Sequence, residues 1–146
     1  LDKKIEQFGC SLGEELLKTT HIYVNTVLPL LKKYNIKGIS HITGGGLLEN
    51  LPRIIPSSLQ ANVDITAWPG LPVFDFIRKQ GKVAREEMFK TFNMGIGLVL
   101  VVAEEKRDKI TTYLKEKEEE FYWIGRVEEG EEGVVLTENR EEGDDN

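Results

Sequence analysis

Three contiguous glycines follow a β-prone run in His41-Ile42-Thr43-Gly44-Gly45-Gly46-Leu47-Leu48-Glu49-Asn50-Leu51-Pro52-Arg53. Glycine leaves the backbone N–H unshielded and reaches positive φ without steric cost. Where a strand hands over to a short helix, such N–H groups and the helix dipole together favour an anion. His41 adds a titratable donor beside the turn and Thr43 a hydroxyl. The chemistry this points to is capture of a phosphate-bearing ligand. The pattern is not a Walker A loop, because no Lys-Ser/Thr follows the glycines, and not the dinucleotide fingerprint, whose glycines are spaced. On spacing alone, a tight strand-to-helix connection is an equally good reading. For His41 the competing reading is a half-buried ring satisfied by a backbone carbonyl.

Asn93-Met94-Gly95-Ile96-Gly97 is a second constellation. Two glycines enclosing one residue at a strand entrance let a ligand approach the backbone, and Asn93 offers both a donor and acceptors. A bulge or tight helix-to-strand turn is the alternative. No Cys/His cluster at metal spacing and no nucleophile elbow occurs. Glu116 to Glu120 reads as a solvated helix end rather than a metal site.

These residues need a scaffold, and 146 residues suffice for one domain with a real core. Apolar residues make up 40% and charged residues 30%, the balance of a soluble globular chain. A net charge of −6 without a basic stripe argues against a nucleic-acid partner. A lone Cys10 excludes an internal disulfide and fits a reducing, cytoplasmic compartment. No apolar run approaches the ~20 residues of a membrane span. The start at Leu1, without methionine, reads as part of a longer protein.

Periodicity supplies the elements. A loop leads into a helical turn at Glu14–Lys18. His21–Val24 is β-rich, and Asn25 or Thr26 caps a helix with Val27, Leu28, Leu30, Leu31 and Tyr34 as its apolar stripe and Pro29 in its first turn. Gly38–Ile42 is the strand before the glycines. Asn62–Trp68 alternates as a half-buried strand. Val73–Gly81 is a helix with Gly81 just past its end, and Arg85–Thr91 is another. Leu98–Ala103 is continuously apolar, as in a central strand covered on both faces. Glu104–Glu120 is a charged helix burying Ile110, Tyr113 and Leu114, and Phe121–Val127 with Gly133–Leu136 form a final hairpin. The fold class is α/β of the α+β type: five or six strands in a mixed, largely antiparallel sheet covered by helices. The domain spans 1–137, and 138–146 is an acidic disordered tail.

The run His41–Pro56 closely resembles the C-terminal half of the AIR synthetase family, the phosphoribosylformylglycinamidine cyclo-ligases. Glu87-Met88 with Thr91–Gly97 resembles a second motif of that family. Leu12–Leu17, Thr20–Val24 and Trp123–Val127 resemble the beginning and the last strand of its C-terminal domain. The likeness runs in order through about residues 9–136 and departs at Lys18 and His21, where the family usually shows Pro and Arg.

The resemblance implies an enzyme that uses ATP and magnesium to activate the formamide oxygen of formylglycinamidine ribonucleotide. The amidine nitrogen then attacks, phosphate leaves and the imidazole ring closes, a step of purine biosynthesis. It further implies a homodimer in which an N-terminal domain, absent from this chain, carries most of the ATP and metal site. In that frame His41 is the candidate catalytic group, and Thr43, Gly44, Gly45, Gly46, Asn50, Asn93 and Gly95 bind substrate or its phosphate. Two rivals stand beside this reading. One is a paralogous synthetase; the other is a non-catalytic docking module that uses its acidic tail and exposed Trp68 and Phe76 as an interface.

Overall fold

In the computed structural model, residues 1–138 are described. Of the expected acidic tail, all but Glu138 lies outside them, and Glu138 itself pairs with Arg85. Ser11 starts the first helix. Its hydroxyl accepts from the Glu14 N–H at 3.2 Å while the Glu14 carboxylate accepts from the Ser11 N–H at 2.8 Å. This reciprocal capping box draws α1 back to Leu12–Leu16, two residues ahead of the expected turn. Upstream of it, β1 (Lys4–Ile5) and β2 (Cys10–Ser11) form a small antiparallel hairpin.

The strand expected at His21–Val24 does not form. Helix α2 (Val24–Lys33) begins at Val24, because the Tyr23 carbonyl accepts from the N–H groups of Thr26 and Val27 and closes the first turn there. Neither Asn25 nor Thr26 is its cap. The Thr26 hydroxyl, buried, donates to the Glu119 carboxylate. Pro29 therefore falls in the second turn, on the solvent side, where the N–H it lacks is missed by the Asn25 carbonyl alone.

Strand β3 (Ile36–His41) pairs antiparallel with β5 (Leu98–Val102), and His41 faces Leu98 at the end of this ribbon. Among the described residues β5 has only this one strand neighbour, so it is not central. Its unbroken apolar character has another cause. Val99 packs against a cluster containing Ile42, Leu47, Leu51, Val63, Trp68, Phe89 and Ile96. Leu100 and Val102, on the opposite face, pack with Leu30, Ile110, Tyr113 and Leu114. The ribbon is the wall between two cores.

The first core rests on a three-stranded sheet in the order β6–β4–β7. Strand β4 (Leu59–Asp64) lies between β6 (Gly125–Glu129), antiparallel to it, and β7 (Gly133–Thr137), parallel to it. The predicted terminal hairpin is thus split, with β4 inserted between its strands. The β4 strand ends at Asp64 rather than Trp68, since the Asp64 carboxylate accepts from the N–H and hydroxyl of Thr66 and turns the chain. The strands thus form three small sheets rather than one, and three of the four strand pairings are antiparallel, as the α+β class requires.

Short α3 (Gly46–Asn50) follows the glycines, and α4 (Pro72–Gly81) and α5 (Arg85–Thr91) follow the β4 turn. The left-handed residue ending α4 is Lys82, at φ 50°, not Gly81. Helix α6 (Arg107–Glu116) is shorter than its charged run, but Ile110, Tyr113 and Leu114 are buried as the periodicity predicts. Trp68 is buried too, and Phe76 packs edge-on against Phe8 at 5.4 Å. The interface suggested for those two aromatics is therefore not a free surface.

Leu30 is fully buried at the centre of the second core. Leu30→Ala should cost about 2–5 kcal/mol, measured as a drop in denaturation midpoint by urea.

Candidate functional site

The two glycine turns that the sequence singles out meet in space. The Ile42 N–H donates to the Gly97 carbonyl at 2.9 Å, just beyond the last β3–β5 pair. Gly46 lies under α5 so tightly that a Cβ on it would stand 1.9 Å from the Phe89 carbonyl oxygen and 2.7 Å from that of Phe92. His41 and Thr43, both exposed, thereby share one end of the ribbon with Asn93–Gly97.

The three glycines do different things. Gly46 is buried and its N–H donates to the Thr43 carbonyl at 3.0 Å, so it closes the turn. Gly45 sits at φ 97°, a left-handed conformation that glycine adopts at no cost, and a Cβ there would run into Glu49. Gly44 has no such constraint: its φ is ordinary, and a Cβ would meet nothing within 4 Å. Among the described residues, no acceptor engages the N–H of Gly44 or Gly45.

Asn50 is buried beneath this turn. Its side-chain amide donates to the carbonyls of Gly44 at 3.2 Å and Gly46 at 2.7 Å, and its oxygen accepts from Arg53 at 3.5 Å. Its backbone carbonyl accepts from the Ser40 hydroxyl at 3.2 Å. Asn50 thus clasps the loop from behind. Asn93 is half-buried, and its side-chain oxygen accepts from the Gly95 N–H at 3.0 Å. Met94 and Gly95 both take positive φ, and the Met94 carbonyl is held by the Trp68 indole N–H at 2.9 Å. Beside this turn, a cavity of about 340 Å³ opens against Leu71, Pro72, Phe74 and Met94.

Sequence reading overlooked Tyr23. Its ring lies 6.3 Å from that of His41 and 4.8 Å from that of His21, and its hydroxyl occupies the space a Cβ on Gly97 would need. Partial burial, and secondarily the Glu119 carboxylate, raise its phenol above the usual value of 10.0. His21 in turn pairs with Glu119 at 3.2 Å. The signal that could have found Tyr23 was the aromatic two residues past His21; the β-rich assignment of that stretch hid it. Gly97 is glycine because Tyr23 stands there.

Among the described residues, no helix is long and apolar enough to cross a membrane. The family model for the C-terminal domain of AIR synthase related proteins matches residues 2–138. The phosphoribosylformylglycinamidine cyclo-ligase of Syntrophotalea carbinolica is 48% identical over 139 residues, covering 92% of this chain and 40% of that protein. Those of Lactobacillus acidophilus and Caldicellulosiruptor saccharolyticus are 51% and 50% identical, over 86% and 93% of this chain and 36% and 40% of their own lengths. The chain thus spans about 40% of the relatives it matches.

Two outcomes follow for the turn. Asn50→Ala removes both side-chain bonds to the Gly44 and Gly46 carbonyls and should cost about 1–3 kcal/mol, whereas Gly44→Ala should leave the thermal midpoint unchanged; calorimetry on both variants checks the pair. The raised Tyr23 phenol means the folded state holds its proton more tightly than the unfolded state. The stability this supplies is complete below pH 10 and is lost as pH rises through the raised value. Absorbance at 295 nm, wild type minus Tyr23→Phe, should therefore show a phenolate transition centred above pH 10.

Proposed function

The chain belongs to the family of AIR synthase related protein C-terminal domains, and we propose that it is the C-terminal half of an ATP-dependent cyclo-ligase. The reaction is conversion of formylglycinamidine ribonucleotide to aminoimidazole ribonucleotide in de novo purine biosynthesis. The observation that carries this reading is the meeting of the two glycine turns at one end of the β3–β5 ribbon, within a domain whose family match runs through both. A docking module would have no need of it.

In this reading the free N–H groups of Gly44 and Gly45 and the Thr43 hydroxyl receive a phosphate of the substrate. Donors fixed in advance stabilise negative charge without having to reorganise as it develops. Asn93, through its amide, and the exposed backbone at Gly95 orient the polar groups of the ligand. Gly46 and Asn50 hold the loop in shape. His41 stands at the rim, where its ring can donate to the formamide oxygen or move a proton as the ring closes. ATP supplies the phosphoryl group that makes the formamide oxygen a leaving group.

Among the described residues, no group of three or more His, Cys, Asp or Glu is placed to hold a metal ion. ATP and magnesium are assigned mainly to an N-terminal domain, in a homodimeric, cytoplasmic enzyme.

The test is ADP release from ATP, magnesium and formylglycinamidine ribonucleotide by the N-terminal portion of the S. carbinolica relative, with and without this chain. Turnover only with both present supports the reading; none, with the two demonstrably associated, rejects it. His41→Ala should lower turnover by about tenfold or more, and a rate near wild type makes His41 structural. Gly44→Val should abolish substrate binding in calorimetry while the thermal midpoint stays put, since that position has room for a side chain.

A further inference from the structure

Tyr23 carries a polar group that the fold does not use. Its half-buried ring meets those of His21 and His41 edge-on, at 4.8 Å and 6.3 Å. Those contacts need only the ring, and a phenylalanine would make them equally well. The hydroxyl has no hydrogen-bond partner among the described residues. No fully buried side-chain oxygen among them lacks a partner, so this one is open to solvent. It also constrains the backbone beside it. A Cβ at residue 97 would stand 2.0 Å from the hydroxyl oxygen and 3.2 Å from Cζ, which confines that position to glycine. A hydroxyl that satisfies nothing and restricts its neighbour is not explained by packing.

Its position supplies the explanation. Gly97 precedes Leu98, the residue that His41 faces across the β3–β5 ribbon, and the Gly97 carbonyl holds the Ile42 N–H. The hydroxyl therefore lies at the end of the ribbon where the two glycine turns meet, on the side of His41. Tyr23 is held there from two directions. Its carbonyl closes the first turn of α2, and its ring is flanked by His21, which Glu119 holds at 3.2 Å. The same carboxylate accepts from the buried Thr26 hydroxyl on α2. Partial burial, with the Glu119 charge, favours the protonated phenol, the form that donates. A donor fixed in this way loses little freedom when it meets an acceptor.

We infer that Tyr23 is a ligand-contacting residue of this site, its hydroxyl donating to the formamide oxygen of the substrate beside His41. The glycine turn takes the phosphate end of the same molecule, and Tyr23 reaches the rim from the other side of the ribbon. The contact orients that oxygen and moves no proton. The identity of the oxygen rests on the cyclo-ligase reading, and the two can fail separately.

The experiment uses a full-length hybrid in which residues 1–138 of this chain replace the matching part of the S. carbinolica relative. Tyr23→Phe keeps the ring and removes only the hydroxyl. Calorimetry without ATP measures two probes on the hybrid and its variant. One is formylglycinamidine ribonucleotide; the other is aminoimidazole ribonucleotide, which has the sugar phosphate and no formamide. The variant should bind the first about fivefold more weakly, the loss of one neutral hydrogen bond. Its affinity for the second and its thermal midpoint at neutral pH should not change. Equal affinity of both proteins for formylglycinamidine ribonucleotide overturns the inference and leaves the cyclo-ligase reading standing. Equal weakening of both probes also overturns it, because the hydroxyl then serves the sugar phosphate. A lowered midpoint overturns it in favour of a structural role. If the hybrid with Tyr23 intact binds neither probe, the cyclo-ligase reading itself fails and takes the inference with it.

Discussion

The contact between Gly46 and the carbonyls at the end of α5 governs the rest of the candidate site. A hydrogen atom is the only side chain that fits there, since a methyl would sit 1.9 Å from the Phe89 oxygen. That approach ties the loop after β3 to the helix that precedes β5. The same two segments are tied again by the Ile42–Gly97 hydrogen bond and by the pairing of His41 with Leu98. With both ends fixed, the outer part of the turn is free to present Gly44 and Gly45 without collapsing. Asn50 completes the arrangement by pulling two of the turn's carbonyls inward. Two of the turn's carbonyls are thus engaged by the protein, while among the described residues no acceptor engages the N–H groups of Gly44 and Gly45.

The β3–β5 ribbon gives this turn a rigid base because it is covered on both faces. Val99 belongs to one core, Leu100 and Val102 to the other, and the ribbon separates them. The side toward β4, α3 and α5 shapes the glycine turns. The side toward α2 and α6 positions Tyr23 and, through Glu119, His21 and Thr26. The two halves of the domain reach the rim of the site from opposite sides, one with backbone and the other with side chains.

Much of this was legible in the residues, and the failures have physical causes. Helix α5 and the inward residues of α6 follow from periodicity, which dominates wherever one face is buried. The glycine turns were visible because their composition serves few other purposes. Their division of labour was not, since whether a glycine is there for φ, for close packing or for open space depends on neighbours far along the chain. The clasp made by Asn50 was hidden for the same reason: an amide spent on carbonyls is indistinguishable in sequence from one offered to a ligand. His21–Val24 has strand-forming residue types, but β propensity needs a partner strand, and none pairs with it among the described residues. Leu98–Val102 has the composition of a central strand, yet its apolar faces serve two cores rather than two neighbouring strands.

The insertion of β4 between β6 and β7 bears on how the chain acquires its shape. Strand β4 is made early, at residues 59–64, yet both its neighbours come from residues 125–137. Until they arrive it has two unpaired edges and half of the first core is without its floor. Contacts this distant in sequence form late, because the intervening loop must be closed before any pairing rewards it. A chain growing from its N-terminus therefore cannot finish this sheet until its last described strand, β7, has been synthesised.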